Sequence, residues 1–351
     1  MGKQTERARL RKAAYIQMIA KREWASVRSM LGNTWAMLFV LLGARETGKT
    51  YVIDELFVKD WKKNGVPFYK LRLNEASLQK MLVNKAERAI DPVIRRKYDL
   101  DLTVRGGVIY DHGKKMCTCL ALSTFYNDKG SGFFDHTFLN DPKMRYNIIL
   151  DEFEQEAGQR SQGDIAYQFI QQLENLIRST KERVRIFLVG NTLQEASDIL
   201  AMLDFIPESF GRYKLKRKKT VIDYMPPTEA YKARRSGTLQ DILAGSHSNF
   251  TNEIDFDRAL IAKRRLIRPT AILHFSKDLR FTVWDDLVIS TWNREKCKIN
   301  IAMRPYQDVA FDPALRDAII ESFDQRRFFF KNMISQKKFQ AQLKLIKPRK
   351  G

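Results

Sequence analysis

An apolar run from Trp35 to Leu42 leads directly into the octapeptide Gly43-Ala44-Arg45-Glu46-Thr47-Gly48-Lys49-Thr50. This octapeptide fits the pattern G-x-x-x-x-G-K-[ST], in which two glycines let backbone N–H groups converge on phosphate oxygens. A helix predicted over about 50–63 adds the positive end of its dipole at the same point. Because a strand precedes the motif and a helix follows it, the sequence predicts a binding site for the phosphates of a nucleotide.

All eight residues of this loop are expected to line the nucleotide site. Lys49 is expected to reach the β and γ phosphates, where its charge also assists catalysis. The hydroxyl of Thr50 is expected to be a ligand of Mg²⁺. ATP and Mg²⁺ are therefore the cofactors that the sequence predicts.

A second motif, Tyr146-Asn147-Ile148-Ile149-Leu150-Asp151-Glu152-Phe153, is a β-branched apolar run that ends in two carboxylates. This is how a Walker B strand ends, so we expect Asp151 to hold Mg²⁺ and Glu152 to act as the general base toward water. The alternative is a buried strand in which Asp151 only caps the next helix. Two adjacent acids at a strand end are costly without a cation or solvent, which favours hydrolysis.

The segment from Arg178 to Arg185 brings several cations just before the strand Ile186 to Gly190. In a multimeric nucleotide hydrolase, an arginine placed here can reach a neighbouring subunit and neutralise charge on the γ-phosphate. A surface cluster of ion pairs is the alternative for these cations. Asn191, which follows the strand, is expected to orient the attacking water in the nucleotide site. The alternative is that Asn191 is an ordinary polar residue at the end of a strand.

Composition limits the class of protein and the type of partner. The chain has 351 residues, a net charge of +21 and 44% hydrophobic residues, which is enough apolar surface for a folded core. The positive charge predicts a surface for a polyanion, with a merely soluble basic protein as the alternative. No apolar window is long enough to span a membrane, and the three cysteines are too few for a disulfide framework and indicate a reducing compartment.

Strands and helices alternate from residue 35 to about 195, which predicts a mostly parallel sheet with helices on both faces. The predicted strands cover 35–42, 67–73, 107–110, 116–122, 146–151 and 184–190, and the predicted helices cover 50–63, 75–89 and 163–180. The expected divisions are a basic helical arm at 1–34, a P-loop ATPase domain at 35–205, a basic linker or lid at 206–250 and a smaller α+β domain at 251–351. The α+β domain at 251–351 is predicted to contain a meander of three strands, over 268–275, 279–284 and 287–292.

Taken in order, these motifs resemble the DNA-packaging ATPases, or encapsidation proteins, of small short-tailed phages. Those are P-loop ring motors of the additional-strand, catalytic-glutamate (ASCE) group and are related to the large terminases. The matching residues are the two ends of the loop at 43–45 and 48–50, the triplet 151–153, and Arg178, which matches the trans-acting arginine finger. At the position where the family has a DNA-contacting lysine, this chain has Glu75, with Lys70, Arg72 and Lys80 nearby, so the DNA-contacting residue stays open.

The resemblance implies an ATPase that moves double-stranded DNA into a viral procapsid, with hydrolysis at subunit interfaces. It implies a homo-oligomeric ring, expected to be a pentamer, that contacts the portal and procapsid and, as a further candidate partner, a scaffold RNA. It places the protein in the cytoplasm of the infected bacterial host. It also implies that the C-terminal domain resembles a degenerate ribonuclease-H-like nuclease domain that binds DNA or the portal.

Three other functions stay open at this point. A complete terminase would use C-terminal carboxylates such as Asp255, Asp257, Asp278, Asp285 and Asp286 to hold a metal pair and cut DNA. A cellular nucleic-acid-stimulated P-loop ATPase would act on open DNA ends or separate strands. A non-enzymatic basic module would bind a nucleotide without turnover, which the Asp151-Glu152 pair argues against.

Overall fold

A computed structural model describes residues 3–129, 145–154, 164–177, 184–191, 198–244, 261, 269, 271–274, 279–283, 288–292, 313–337 and 339. The chain divides into two compact units. The first comprises Met1–Gln194 and Pro207–Ile254, and the second comprises Glu195–Ile206 and Asp255–Gly351. No helix among the described residues is long and apolar enough to cross a membrane.

The first unit is built on a nine-stranded sheet with the order β3-β4-β5-β2-β6-β7-β1-β9-β8. Its strands are β1 Leu38–Leu42, β2 Phe68–Arg72, β3 Leu102–Arg105, β4 Val108–Asp111, β5 Lys114–Ala121, β6 Tyr146–Asp151, β7 Val184–Gly190, β8 Gly211–Leu215 and β9 Thr220–Tyr224. The six strands from β5 to β9 in this order pair in parallel. The strands β3, β4 and β8 pair antiparallel at the two edges. The predicted mostly parallel sheet is thus confirmed.

The register of the central strands sets where the two sequence motifs meet. Strand β7 lies between β1 and β6, with Leu42 opposite Gly190 and Asp151 opposite Val189. Every residue of β6 is buried, as expected for a parallel strand covered on both faces. Because all three strands run in the same direction, the phosphate loop and the acid pair emerge at one edge of the sheet.

The helices of the first unit are α1 Lys3–Ala20, α2 Arg28–Leu31, α3 Lys49–Asn64, α4 Glu75–Ala86, α5 Pro92–Lys97, α6 Ile165–Ile177, α8 Glu229–Arg235 and α9 Leu239–Ala244. Their ends follow ordinary capping chemistry. The side chain of Asn74 accepts a hydrogen bond from the N–H of Ser77 at the start of α4. Helix α3 ends at Gly65, which adopts a left-handed conformation.

The segment 206–250, expected to be a basic linker or lid, instead contributes two strands to the large sheet. Strand β9 pairs in parallel with β1, and its five residues are all buried. Strand β8 pairs with β9, and the guanidinium of Arg212 contacts both carboxylate oxygens of Asp223 across the pair. The composition shift and the Pro226-Pro227 pair near 222–250 favour a linker in the sequence, with a strand-like solvated edge as the alternative for Lys214 to Thr220. The structure has that edge, with the cations on the exposed side and the turn of a hairpin.

The second unit contains a four-stranded sheet of β10 Ala271–His274, β11 Leu279–Val283, β12 Val288–Trp292 and β13 Phe328–Phe330. Its first three strands form the predicted antiparallel meander, and β13 adds in parallel to β12. Two helices of this unit are α7 Asp198–Met202 and α10 Pro313–Asp324. Its core includes Phe281, Phe328 and Phe339, whose rings pack against one another.

Candidate nucleotide-binding site

The phosphate loop turns sharply between β1 and α3. Glu46 and Gly48 have left-handed backbones, with φ of 59° and 77°. The Thr47 hydroxyl donates to the carbonyl of Ala44 at 2.9 Å, which closes the turn from within. A Cβ at Gly48 would lie 3.2 Å from Cε3 of Trp24, so the left-handed backbone angle and the tight contact both favour glycine there.

The side chain of Lys49 is 5% exposed and points back into the loop. Its ammonium donates hydrogen bonds to the carbonyls of Gly43, at 2.9 Å, and of Ala44. Burial lowers the pKa of Lys49 to about 8, although the nearby Asp151 carboxylate partly opposes that shift. The loop therefore holds a buried cation whose bonds to its own carbonyls a phosphate can replace.

The acid pair lies directly beside the start of α3. The Thr50 hydroxyl donates to Oδ1 of Asp151 at 2.9 Å, although the two residues are 101 positions apart. The Asp151 side chain is nearly buried, whereas that of Glu152 is 61% exposed. Glu152 has a φ of 56°, so the chain leaves β6 through a left-handed residue that turns this carboxylate out of the sheet.

Arg72, at the end of β2, contacts both acids and was not predicted as a site residue. One of its guanidinium nitrogens lies 3.1 Å from Oδ2 of Asp151, and the other donates to Oε2 of Glu152 at 2.6 Å. The Arg72 side chain is 14% exposed. The one sequence signal for this role is an arginine at the carboxyl end of a predicted strand, and it says nothing about which strand lies next to β2.

A close contact between Phe153 and Gly190 fixes the chain immediately after the acid pair. The N–H of Phe153 donates to the carbonyl of Val189 on β7 at 3.1 Å, and its ring is buried. A Cβ at Gly190 would lie 2.7 Å from Cε1 of that ring. The last residue of β7 must therefore be glycine for the ring to occupy this place and for the acid pair to keep its position.

A buried ion pair lies beneath the loop. The Lys70 ammonium on β2 is 2.8 and 2.7 Å from the two carboxylate oxygens of Asp54, one turn beyond Thr50 on α3. It also donates to the carbonyl of Ala89 at 2.6 Å. Burial raises the pKa of Asp54 to about 6, and the Lys70 charge opposes that rise. This pair joins the helix of the phosphate loop to the strand that carries Arg72.

Two arginines of α8 contact the outer side of the loop. The guanidinium of Arg234 lies over the Trp24 ring at 4.2 Å and donates to the carbonyl of Glu46 at 3.3 Å. Arg235 lies 3.4 Å from the Glu46 carboxylate. The segment expected as linker or lid therefore does reach the loop through this helix, although the sequence gave no residue-level signal for it.

The structure brings most of the predicted site residues to one edge of the sheet. The loop from 43 to 50 and the pair Asp151 and Glu152 lie there, and Asn191 follows the last residue of β7 at the same end of the sheet. Among the described residues, no side-chain hydrogen bond joins Asn191 to the loop or to the acids. Arg178 and the carboxylates at 255, 257, 278, 285 and 286 lie outside the described residues.

The oxygen ligands present fit a nucleotide with magnesium. A hydroxyl and a carboxylate oxygen in contact, at Thr50 and Asp151, are ligand types that Mg²⁺ prefers. The buried Lys49 ammonium and the N-terminus of a 16-residue helix supply positive potential for phosphates.

The sequence and the fold both match phage DNA-packaging proteins. The family model described as podovirus DNA encapsidation protein (Gp16) matches residues 20–324. The structure titled the Phi-28 gp11 DNA packaging motor is similar at a TM-score of 0.61 and 14% identity, covering 94% of this chain and 99% of that one. The bacteriophage Phi-29 viral genome packaging motor assembly gives 0.62 and 16%, covering 93% and 100%. No curated protein matches by sequence.

Proposed function

The chain belongs to the podovirus DNA encapsidation protein (Gp16) family, and from this premise we propose that it hydrolyses ATP to drive double-stranded DNA into a viral procapsid. The observation that carries the proposal is the contact between Thr50 and Asp151 at 2.9 Å, which joins the two motifs into one site. A nucleotide bound to the loop would have its phosphates beside both carboxylates.

We assign binding and chemistry to different residues of the site. The backbone of residues 43–48, the Lys49 ammonium and the start of α3 bind the phosphates. Thr50 and Asp151 would hold Mg²⁺, which when bound would neutralise negative charge on the phosphates. Asn191 is proposed to contact the attacking water.

Glu152 is the proposed general base. Its exposed carboxylate accepts a proton from water as the water oxygen bonds to the γ-phosphorus and the bond to the ADP oxygen breaks. Arg72 holds this carboxylate by a 2.6 Å hydrogen bond, so it sets the carboxylate's position before water is activated. Arg72 is therefore a positioning residue in this proposal.

We further propose that the active form is a homo-oligomeric ring, a pentamer, bound to the portal of a procapsid in the cytoplasm of the infected host. Arg178 of one subunit then completes the site of the next, as the family resemblance implies. A scaffold RNA is a further candidate component of this assembly. The second unit is proposed to be a vestigial nuclease-like domain that contacts DNA or the portal, so incubation with DNA and Mg²⁺ or Mn²⁺ is expected to leave the DNA uncut.

A mixing experiment tests the site and its ring arrangement together. Glu152→Gln removes the base but leaves the arginine, and Arg178→Ala removes the arginine but leaves the base. Each variant alone is expected to bind ATP without turnover. Mixed, they are expected to recover hydrolysis, because an Arg178→Ala subunit receives an intact arginine from a Glu152→Gln neighbour. A mixture as inactive as its components would contradict the trans arrangement, and full activity of Glu152→Gln alone would contradict the proposed base.

A further inference from the structure

A group of exposed cations forms the turn between β8 and β9. Residues Lys216–Lys218 make a single 3₁₀ turn, and Lys219 closes it. The side chains of Lys214 and of all four residues from 216 to 219 are exposed. No acidic residue occurs between Glu208 and Asp223. We call residues 214–219 the basic tip.

Three cations of the basic tip, Lys216, Arg217 and Lys219, differ from the neighbouring Arg212 in their ion pairing. Arg212 makes two 2.5 Å hydrogen bonds to the Asp223 carboxylate. In contrast, no ion pair to a carboxylate of the described residues involves Lys216, Arg217 or Lys219. Several cations on one short turn without counter-charges produce a local positive potential that attracts polyanions.

Lys219 has a backbone conformation that glycine would adopt with less strain, so the lysine at this position is not explained by the folding of the turn. Lys219 has a φ of 46°, a left-handed conformation in which glycine is the unstrained residue. Its N–H donates to the carbonyl of Lys216 at 3.1 Å, and its own carbonyl accepts from Met37 and Leu38 of the chain entering β1. A side chain in this conformation costs about 1 kcal/mol. The turn therefore carries a lysine where glycine would fold more easily.

The basic tip lies at the end of the sheet where the parallel strands β1 and β9 begin, and the nucleotide site lies at the end where these strands finish. Thr220, next to the tip, pairs with Leu38 at the start of β1, whereas Tyr224 pairs with Leu42, which leads into the phosphate loop. Strands rise about 3.3 Å per residue, so roughly 13 Å of strand separates the two ends. The cations of the tip are therefore not part of the nucleotide site.

We propose that the basic tip binds the phosphodiester backbone of a duplex nucleic acid. Duplex DNA carries one negative charge per about 1.7 Å of its axis, so a single turn bearing several cations meets several phosphates at once. Residues 214–219 include no aromatic side chain that could stack on bases. The proposed contact is to phosphates, whose charge is the same for every base sequence. DNA and structured RNA are two sources of this same backbone chemistry.

Two full-length variants with equal loss of charge separate this surface from the net charge of the protein. The tip variant combines Lys216→Gln, Arg217→Gln and Lys219→Gly, the last of which also relieves the left-handed lysine. The control variant removes three exposed cations outside the tip, one on α3 and two near the opposite side edge of the sheet, by Lys59→Gln, Arg105→Gln and Lys114→Gln. The melting temperature of the tip variant is expected to equal or exceed that of the wild type.

The measurement is the salt dependence of binding to a DNA duplex and to an RNA duplex of the same sequence, without nucleotide. Each lost phosphate contact lowers the slope of log affinity against log salt by about 0.9, so the tip variant is expected to lose about 2.7. The control variant is expected to keep the wild-type slope. If the tip variant has a lower slope with only one of the two duplexes, that nucleic acid is the partner. Equal slopes for the tip variant, the control and the wild type on both duplexes would overturn the proposal, whatever the outcome for ATP hydrolysis.

Discussion

Replacement of Lys70 by methionine is expected to make the stability of the first unit strongly dependent on pH. The Lys70 and Asp54 side chains are 1% and 4% exposed and lie 2.7 Å apart at their closest atoms. Methionine keeps most of the lysine stem, so the variant loses the charge and the hydrogen bonds rather than the packing. Removal of one partner leaves a buried carboxylate unpaired, which costs about 3–5 kcal/mol.

The pH range of this effect follows from the pKa of Asp54, which is about 6 in the folded protein and about 3.9 when unfolded. Because the pKa of Asp54 is higher in the folded than in the unfolded protein, its protonated form stabilises the fold. This stabilisation is fully present below about pH 4 and is lost as the pH rises through about 6. Without the lysine charge, a fully buried carboxyl shifts by about 3–5 units, so the loss continues to about pH 8. The difference between wild type and Lys70→Met therefore widens by about 1.4 kcal/mol per pH unit above pH 6.

Equilibrium urea unfolding at several pH values, followed by circular dichroism, measures this difference. The double variant Lys70→Met with Asp54→Leu is the control, because it removes both charges and is expected to regain most of the lost stability at high pH. A difference that stays constant from pH 5 to pH 8, or a double variant as unstable as Lys70→Met alone, would refute the reasoning.

Three further results are expected at the site. Arg72→Ala should keep ATP binding but lower turnover by about tenfold to a hundredfold, because a misplaced catalytic group lowers the rate by about that factor. Unchanged turnover would contradict the positioning role of Arg72. Gly190→Ala should lower the free energy of unfolding by about 1–3 kcal/mol through overlap with the Phe153 ring. Gly32→Ala, whose Cβ would only reach van der Waals contact with the Ser29 carbonyl oxygen at 3.6 Å, should not lower it and should raise it by at most about 1 kcal/mol. ATP affinity, measured by fluorescent-nucleotide titration, should fall up to about tenfold per pH unit above the Lys49 pKa of about 8; a flat profile from pH 7 to 9 contradicts a charged Lys49 in binding.

The sequence was most informative where a function is encoded by neighbouring residues. The phosphate loop and the acid pair are each contiguous, and the strands that lead into them are apolar enough to be predicted with nearly the observed bounds. Parallel pairing then brings the ends of β1 and β6 to one edge whatever the details of the loops. That is why Thr50 and Asp151 meet although they are 101 residues apart.

Contacts between distant elements could not be predicted in the same way. The role of Arg72 depends on β2 lying next to β6, which no local pattern specifies. Arg234 reaches Glu46 across 188 residues of sequence. The composition shift and the Pro226-Pro227 pair favour a linker where the structure has the hairpin β8–β9, although strand β9 has apolar residues at Val221 and Ile222. In each case the missing information is which elements are neighbours in space.

The proposed motor hydrolyses ATP at this site in response to double-stranded DNA. The most direct test is the steady-state rate of ATP hydrolysis with and without linear duplex DNA, for the wild type and for Glu152→Gln, with ATP binding measured for both. DNA is expected to raise wild-type turnover, and Glu152→Gln is expected to bind ATP without hydrolysing it. Wild-type protein that binds ATP yet shows the same turnover with and without DNA would contradict the proposed function.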